Sequence, residues 1–250
     1  MISFQDLTAG YGPCHVLRSV TARAQSGDLI ALIGPNGCGK STLLKTLCGI
    51  ISPRSGRIIL NENNLRDLSP KARARQISYL AQSREAMPSM TVEEVVRLGR
   101  APYCGGLGKI SPEGEDAITS ALTRAQLNNY TSRRFDSLSG GEQARVLLAR
   151  ALTVEAPILL TDEPIAALDP FYQLSMMQIL KAEATSGKTV ITALHDLSLA
   201  AQFSDSIWMM HQGNIIAEGT PSDVLNAENL KTVFGIKLPE GGFRPLELAG

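Results

Sequence analysis

Short, continuous apolar runs recur along the chain and predict buried strands. They are Leu29–Ile33, Ile77–Leu80, Ile158–Thr161, Thr189–Leu194 and Ile207–Met210. Each run is aliphatic and does not alternate with polar residues, which is typical of strands whose two faces are both covered by helices. Helical patterns lie between the runs. This alternation predicts an α/β fold around a mostly parallel sheet.

Two stretches depart from the alternation of strand and helix. Residues 1–27 have the pattern of short strands with turns, and residues 84–153 have an almost entirely helical pattern. In the second stretch, Thr91 and Glu94 predict a capping box that starts the helix VEEVVRLGR. We expect the two stretches to be sub-domains attached to one α/β core.

Composition and charge narrow the class of protein. The chain has 250 residues, with 24 Lys plus Arg and 24 Asp plus Glu, so its formal net charge is zero. A nucleic-acid-binding protein normally carries a basic excess, so we expect no nucleic-acid partner. No apolar run approaches the roughly 20 residues of a membrane-spanning helix, and the N-terminus lacks the pattern of a secretion signal. These features predict a soluble, cytosolic chain.

Two further groups of residues are interpreted as carrying no chemistry. The cysteines form no CxxC pair and have no nearby His at metal-ligand spacing, so free thiols are expected at Cys14, Cys38, Cys48 and Cys104. Three basic residues stand at every second position, where they do not share one helical face. We interpret them as a solvated surface formed by Lys71, Arg73 and Arg75.

The segment GPNGCGKST satisfies the phosphate-loop pattern G-x-x-x-x-G-K-[ST]. It follows the strand-like DLIALI and precedes the helix-like STLLKTLCG, which is the context that this motif requires. Its glycines allow backbone N–H groups to turn toward a phosphate, and the helix N-terminus adds partial positive charge. Lys40 is predicted to neutralise β- and γ-phosphate oxygens, and Ser41 to ligate Mg²⁺. The predicted nucleotide-binding residues are Gly34, Pro35, Asn36, Gly37, Cys38, Gly39, Lys40, Ser41 and Thr42.

An acidic pair follows another predicted core strand. The run ILLTDE ends in Asp162 and Glu163. Because the carboxyl ends of parallel strands converge on one crevice, these carboxylates are expected to face the phosphate loop. Asp162 is predicted to hold the Mg²⁺ shell, and Glu163 to orient or deprotonate an attacking water.

A third motif lies between the phosphate loop and the acidic pair. Residues 138–143 read LSGGEQ and lead into the helical ARVLLARAL, so taken alone they would be a helix N-cap. In the order phosphate loop, LSGGE, TDEP and a later His, the chain resembles the ATP-binding subunit of ABC transporters over roughly residues 2–235. The resemblance implies a P-loop NTPase with a RecA-like sheet, an N-terminal antiparallel β sub-domain and an inserted helical sub-domain at about 84–153. It also implies a single domain over 1–250 that binds and hydrolyses ATP with Mg²⁺.

The resemblance implies roles for residues that carry little signal by themselves. Tyr11 matches the aromatic residue that stacks on adenine, and Gln82 matches the glutamine that reaches Mg²⁺ and the water. His195 matches the histidine that contacts the γ-phosphate. Asp169 matches an aspartate that communicates across a dimer, or it is only the N-cap of the helix that Pro170 begins. The signature that contacts the partner subunit's ATP in trans is Ser139, Gly140, Gly141 and Glu142.

The resemblance also implies partners and a location. Two copies are expected to pair around two ATP molecules with C₂ symmetry, beneath membrane permease subunits that dock on the helical sub-domain. A substrate-binding protein takes part indirectly, and the chain is peripheral on the cytoplasmic side of the inner membrane. Residues 91–118 and 194–236 look like importers for ferric siderophores, haem and cobalamin. A molybdate or metal-ion importer, an exporter and a non-transport ABC ATPase remain alternatives.

Three positions depart from the commonest pattern of the family. Glu142 stands where Gln is usual, and we expect it to add negative charge near ATP. Ile165 and Ala166 stand where Thr and Ser are frequent. We expect this exchange to alter hydrogen bonding across the dimer.

Overall fold

The computed structural model describes residues 1–82, 90–104, 109–237, 239 and 241. The strands are β1 (Ile2–Ala9), β2 (Leu17–Ala24), β3 (Leu29–Ile33), β4 (Ser55–Leu60), β5 (Asn63–Asn64), β6 (Ile77–Leu80), β7 (Ile158–Asp162), β8 (Thr189–Ala193), β9 (Ser206–His211) and β10 (Asn214–Gly219). The helices are α1 (Lys40–Leu47), α2 (Pro70–Gln76), α3 (Val92–Arg97), α4 (Pro112–Arg124), α5 (Gly140–Leu152), α6 (Pro170–Thr185), α7 (Leu197–Phe203), α8 (Pro221–Val224) and α9 (Ala227–Phe234).

The larger sheet has the strand order β10-β9-β3-β8-β7-β6. The pairs β9–β3, β3–β8, β8–β7 and β7–β6 are parallel, and only the β10–β9 pair within this sheet is antiparallel. Every residue of β3, β7 and β8 is buried, which explains why these strands are continuous apolar runs in the sequence. The predicted α/β fold with a mostly parallel sheet is confirmed.

The smaller sheet is antiparallel and has the order β2-β1-β4-β5. Its first two strands have eight residues each, so they are longer than the short strands predicted for residues 1–27. The predicted stretch also ended too early, because β4 pairs with β1 from residues 55–60. The ring of Phe4 meets the ring of Trp208 edge to face at 5.6 Å, which packs this sheet against the larger one.

The helical region contains α3, α4 and α5, which contact one another. The capping box predicted at its start is present, because the Glu94 carboxylate accepts the N–H of Thr91 at 2.7 Å and the Thr91 hydroxyl accepts the N–H of Glu94. The helix is shorter than predicted, since a 3₁₀ turn follows at Leu98–Arg100. Residues 84–89 and 105–108 of the predicted helical stretch lie outside the described residues.

The basic residues of α2 are not buried, in keeping with the predicted solvated surface, and two of them also hydrogen-bond a distant part of the chain. The Lys71 ammonium donates to the carbonyl of Cys104 at 3.0 Å, and Arg75 Nε donates to the carbonyl of Pro102 at 3.0 Å. The guanidinium groups of Arg75 and Arg100 both lie over the ring of Tyr103, at 4.8 and 4.0 Å from its centroid. These contacts fasten α2 to the turn that follows α3.

The four cysteines lie within the described residues and are free thiols, as predicted. Along the described ranges, no helix combines the length and the apolar character that a membrane span requires.

Candidate active site

The motif at residues 34–42 spans the loop after β3 and the first residues of α1, which is the strand–loop–helix context that the motif predicts. Gly34 has a φ of 153°, and a Cβ there would lie 2.4 Å from the carbonyl oxygen of Met210. Gly39, the N-cap of α1, has a φ of 111°. Only glycine adopts these conformations without strain, so the loop can pack closely against the end of β9 at Met210.

Lys40 lies across this loop and is buried. Its Nζ donates to the carbonyl oxygens of Gly34 and Pro35 at 2.8 and 3.2 Å. These partners are neutral, whereas a phosphate oxygen is anionic and accepts a stronger hydrogen bond from an ammonium. The Cys38 thiol lies beneath the loop, where burial raises its pKa and favours the protonated form. The loop therefore carries the positive charge of Lys40, while the Cys38 thiol remains uncharged.

Asp162 ends β7 with only 1% of its surface exposed. Ser41 Oγ donates to its Oδ1 at 2.9 Å, and Tyr79 Oη donates to its Oδ2 at 3.1 Å. Burial, and then the Asp162 charge, raise the pKa of Tyr79, so its hydroxyl stays protonated and remains a donor. Tyr79 could not be recognised from the sequence, because a tyrosine in the run ISYL fits an ordinary strand residue.

The oxygen atoms of Ser41 and Asp162 fit the donor chemistry of Mg²⁺, which prefers hard oxygen ligands. In the part of the chain with described coordinates, no group of three or more His, Cys, Asp or Glu side chains is arranged to hold a metal. A sparse protein donor set is typical of Mg²⁺ that is bound mainly through substrate phosphates.

Glu163 comes directly after β7 and is held from three sides. Its N–H donates to the carbonyl of Ala193 at 3.2 Å, Gln82 Nε2 donates to its Oε2 at 2.6 Å, and the Nε2 of His195 bonds its Oε1. Its φ of 52° is unusual for a non-glycine residue and costs about 1–3 kcal/mol. The ends of β6, β7 and β8 thus bring three predicted residues together, although Gln82 lies two residues beyond β6 rather than at its end.

The predicted signature residues form the start of α5. The Ser139 hydroxyl accepts the N–H of Glu142 at 3.3 Å, and the Glu142 carboxylate accepts the N–H of Ser139 at 2.8 Å, which completes a capping box. Chiefly this backbone hydrogen bond lowers the pKa of Glu142, and Arg133 lies 3.8 Å from the carboxylate. The Glu142 carboxylate is thus hydrogen-bonded at the start of its own helix.

The remaining predicted residues stand at the ends of other elements. Tyr11 lies in the turn between β1 and β2 with 52% of its surface exposed, so its ring is accessible for stacking against a planar ligand. Asp169 is the N-cap of α6, since its carboxylate accepts the N–H of Tyr172 at 3.1 Å, as predicted for that alternative. Ile165 is buried in the core, so its side chain is a packing residue.

Comparison with known proteins places the site in a family. Residues 17–166, more than half of the chain, match the family model described as ABC transporter. The chain is 36% identical over 236 residues to the iron(3+)-hydroxamate import ATP-binding protein FhuC of Bacillus subtilis, covering 94% of this chain and 88% of that protein. It is 40% identical over 219 residues to the hemin import ATP-binding protein HmuV of Streptomyces coelicolor, covering 88% and 78%.

A solved structure shares the architecture. The chain superposes with a TM-score of 0.77 and 29% identity on a dimeric ATP-binding cassette in a post-hydrolysis state bound to ADP and Pi. The superposition covers 88% of this chain and 99% of that one. The P-loop NTPase fold predicted from the sequence is therefore confirmed.

Proposed function

The chain belongs to the ABC transporter family and is an ATP-binding ATPase, and on that premise we propose that it powers import of a ferric chelate, either a ferric siderophore or haem. The observation that carries the cargo class is the identity of 36% and 40% to proteins named for import of iron(3+)-hydroxamate and hemin, over most of each chain.

We propose that Glu163 activates the water that cleaves ATP. The carboxylate accepts a hydrogen bond from Gln82 and is bonded by His195, and these contacts fix its orientation. Water attacks the γ-phosphorus, the bond to the bridging β–γ oxygen breaks, and the proton of the water passes to Glu163, which gives ADP and phosphate. In this arrangement His195 contacts the γ-phosphate and Gln82 contacts the water.

The phosphate loop supplies the binding energy in this proposal. Phosphate oxygens replace the carbonyls of Gly34 and Pro35 as partners of Lys40, while the loop N–H groups surround the β-phosphate. Ser41, Asp162 and Gln82 would hold Mg²⁺, whose charge neutralises the phosphates. Tyr11, which is exposed, is the proposed platform for adenine. Because catalysis here is mainly positioning and charge neutralisation, these groups act together.

The second half of each ATP site is proposed to come from another copy of the chain. The start of α5 is a helix N-terminus whose first two residues are glycines, and a helix N-terminus attracts an anion. We propose that Ser139 to Glu142 contact the partner's γ-phosphate in a C₂ homodimer, with Asp169 at the junction. The solved relative described as dimeric is consistent with this assembly.

The same proposal includes the domain organisation, the partners and the location of the chain. The residues 1–250 act as one ATPase domain, and the helical region around α3 and α4 docks on membrane permease subunits at the cytoplasmic side. ATP binding closes the dimer and hydrolysis reopens it, which moves the permease between its access states. A substrate-binding protein delivers the chelate on the other side.

The cargo class is tested by reconstitution. The chain is purified with the permease and binding protein encoded beside its gene and placed in vesicles, and ATPase activity is measured with ferric siderophores, haem, cobalamin and molybdate. Stimulation by a ferric siderophore or haem is the expected result. Stimulation only by cobalamin or molybdate contradicts the cargo class and leaves the ATPase assignment intact.

A further inference from the structure

We propose that Tyr79 is a positioning residue that holds the Asp162 carboxylate in the orientation needed to bind the Mg²⁺ of Mg²⁺–ATP. The inference rests on the proposed function, in which Asp162 belongs to the metal shell. It assigns a role to a residue outside the phosphate loop, the acidic pair and the signature.

Each oxygen of the Asp162 carboxylate has its own hydroxyl donor. Ser41 donates to Oδ1 at 2.9 Å and Tyr79 donates to Oδ2 at 3.1 Å. Two donors on opposite oxygens fix both the position of the carboxylate and its rotation about the Cβ–Cγ bond. One lone pair of each oxygen is used in this way, which leaves the other free for a further partner.

The two donors differ in what else they can do. Ser41 is the first residue after the loop lysine, and its hydroxyl oxygen is itself a predicted ligand of Mg²⁺. Tyr79 approaches from β6, where it pairs in register with Leu160 of β7, and its ring packs against the core. Its hydroxyl donates to Oδ2, the carboxylate oxygen that accepts no hydrogen bond from Ser41. Tyr79 is therefore the donor that can keep Asp162 oriented while Ser41 serves the metal.

Fixing a ligand matters more for Mg²⁺ than for most cations. The ion requires near-ideal octahedral geometry, so a carboxylate that rotates freely binds it less well. Partners that orient a metal ligand typically contribute about 10–100-fold to metal affinity. A single neutral hydroxyl is expected at the lower end of this range.

The test is the gain in nucleotide affinity that Mg²⁺ provides. The affinity for a fluorescent ATP analogue is measured in EDTA and in excess Mg²⁺ for the wild type and for Tyr79→Phe, which removes only the hydroxyl. We expect the affinity in EDTA to stay within about twofold and the Mg²⁺ gain to fall about tenfold. The gain is a ratio of two affinities in one preparation, so a loss of folded protein does not change it.

Two controls separate this role from a structural one. Tyr103→Phe removes a tyrosine hydroxyl that donates to the carbonyl of Val154 at 2.9 Å, and its Mg²⁺ gain should equal that of the wild type. In an Asp162→Asn background, Tyr79→Phe should change the Mg²⁺ gain no further, because its effect passes through the carboxylate.

The outcomes distinguish the inference from the function on which it rests. A Tyr79→Phe protein with the wild-type Mg²⁺ gain, beside an Asp162→Asn protein that has lost it, overturns the role of Tyr79 alone. An Asp162→Asn protein that keeps the full gain contradicts the assignment of Asp162 to the metal shell. A Tyr79→Phe effect that persists undiminished in the Asp162→Asn background also overturns the inference.

Discussion

Two regions of the molecule assigned to ATP hold their polar side chains by different means. The strand-end cluster, which comprises Ser41, Tyr79, Gln82, Asp162, Glu163 and His195, is joined by hydrogen bonds between residues 32–121 positions apart. The signature turn, Ser139–Glu142, is held by a capping box between residues three positions apart. The first region depends on the whole sheet, whereas the second is shaped by its own helix.

This difference is compatible with the proposal that one chain contributes to two different ATP sites. The cluster is complete only when β6, β7 and β8 lie side by side, so it reports on the folding of the core. The signature turn keeps its shape through local hydrogen bonds between Ser139 and Glu142. Substitutions in the cluster should therefore affect chemistry, whereas substitutions in the turn should affect helix stability as well as ATPase activity.

The largest expected effect comes from the cluster residue that has three partners. Glu163→Gln keeps the shape of the side chain but removes the base, so the hydrolysis rate should fall about 10³-fold. ATP binding should persist, and the variant should accumulate as an ATP-bound dimer in size-exclusion chromatography. Turnover at the wild-type rate would show that Glu163 does not activate the water.

The next effect is on affinity. If Lys40 neutralises the phosphates as proposed, Lys40→Ala should lower the affinity for ATP at least about 100-fold, as for other truncated charge pairs. The measurement is equilibrium binding of a fluorescent ATP analogue. Lys71→Ala is a matched control, since it removes an exposed lysine that bonds the carbonyl of Cys104. Near-normal affinity of the Lys40 variant would contradict the phosphate-loop assignment.

A smaller effect is expected at the signature turn, because its shape is held by local hydrogen bonds. Ser139→Ala removes the N-cap of α5 and should lower the free energy of unfolding by about 1 kcal/mol. Ser111→Ala removes the N-cap of α4, where the hydroxyl accepts the N–H of Gly114, and should cost a similar amount. Only the Ser139 variant should also lose ATPase activity. Equal activity losses in both would indicate that the turn acts through stability alone.

The smallest effect depends on pH. The backbone hydrogen bond from Ser139 lowers the pKa of Glu142 below its ordinary 4.5, so ionised Glu142 stabilises the fold above that pH and the contribution is lost as pH falls through the lowered value. Wild type should be more stable than Glu142→Gln near neutral pH, and the difference should shrink below about pH 4.5. Thermal unfolding across pH 3–7 measures it, and a constant difference would contradict the charged cap.

Much of the strand-end cluster could be predicted because its residues sit in motifs with fixed spacing. The phosphate loop and the acidic pair each follow a buried run, and strand ends of a parallel sheet meet at one edge. Tyr79 could not be found this way, because its role depends on the register of β6 against β7. The contacts of Lys71 and Arg75 were also missed, since their carbonyl partners lie 33 and 27 residues away.

The fold shows the same division between local and distant information. The parallel core strands were predicted from their continuous apolar runs. Strand β4 was missed, although it lies between β1 and β5, because its short sequence SGRIIL does not distinguish a strand from a turn. Strand β10 was missed for a similar reason, as it is a partly exposed edge beside β9. Edge strands gain much of their identity from the neighbour they pair with.

The signature turn is proposed to complete the ATP site of a partner subunit, and mixed dimers test this directly. Lys40→Ala and Ser139→Arg are each expected to hydrolyse ATP poorly as homodimers. Mixed dimers, isolated through two different affinity tags, pair the intact loop of the Ser139 variant with the intact turn of the Lys40 variant. If the account is correct, ATPase activity returns in the mixed dimer to about half of the wild-type value, because one of its two symmetric sites is whole. Mixed dimers as inactive as either parent would contradict it.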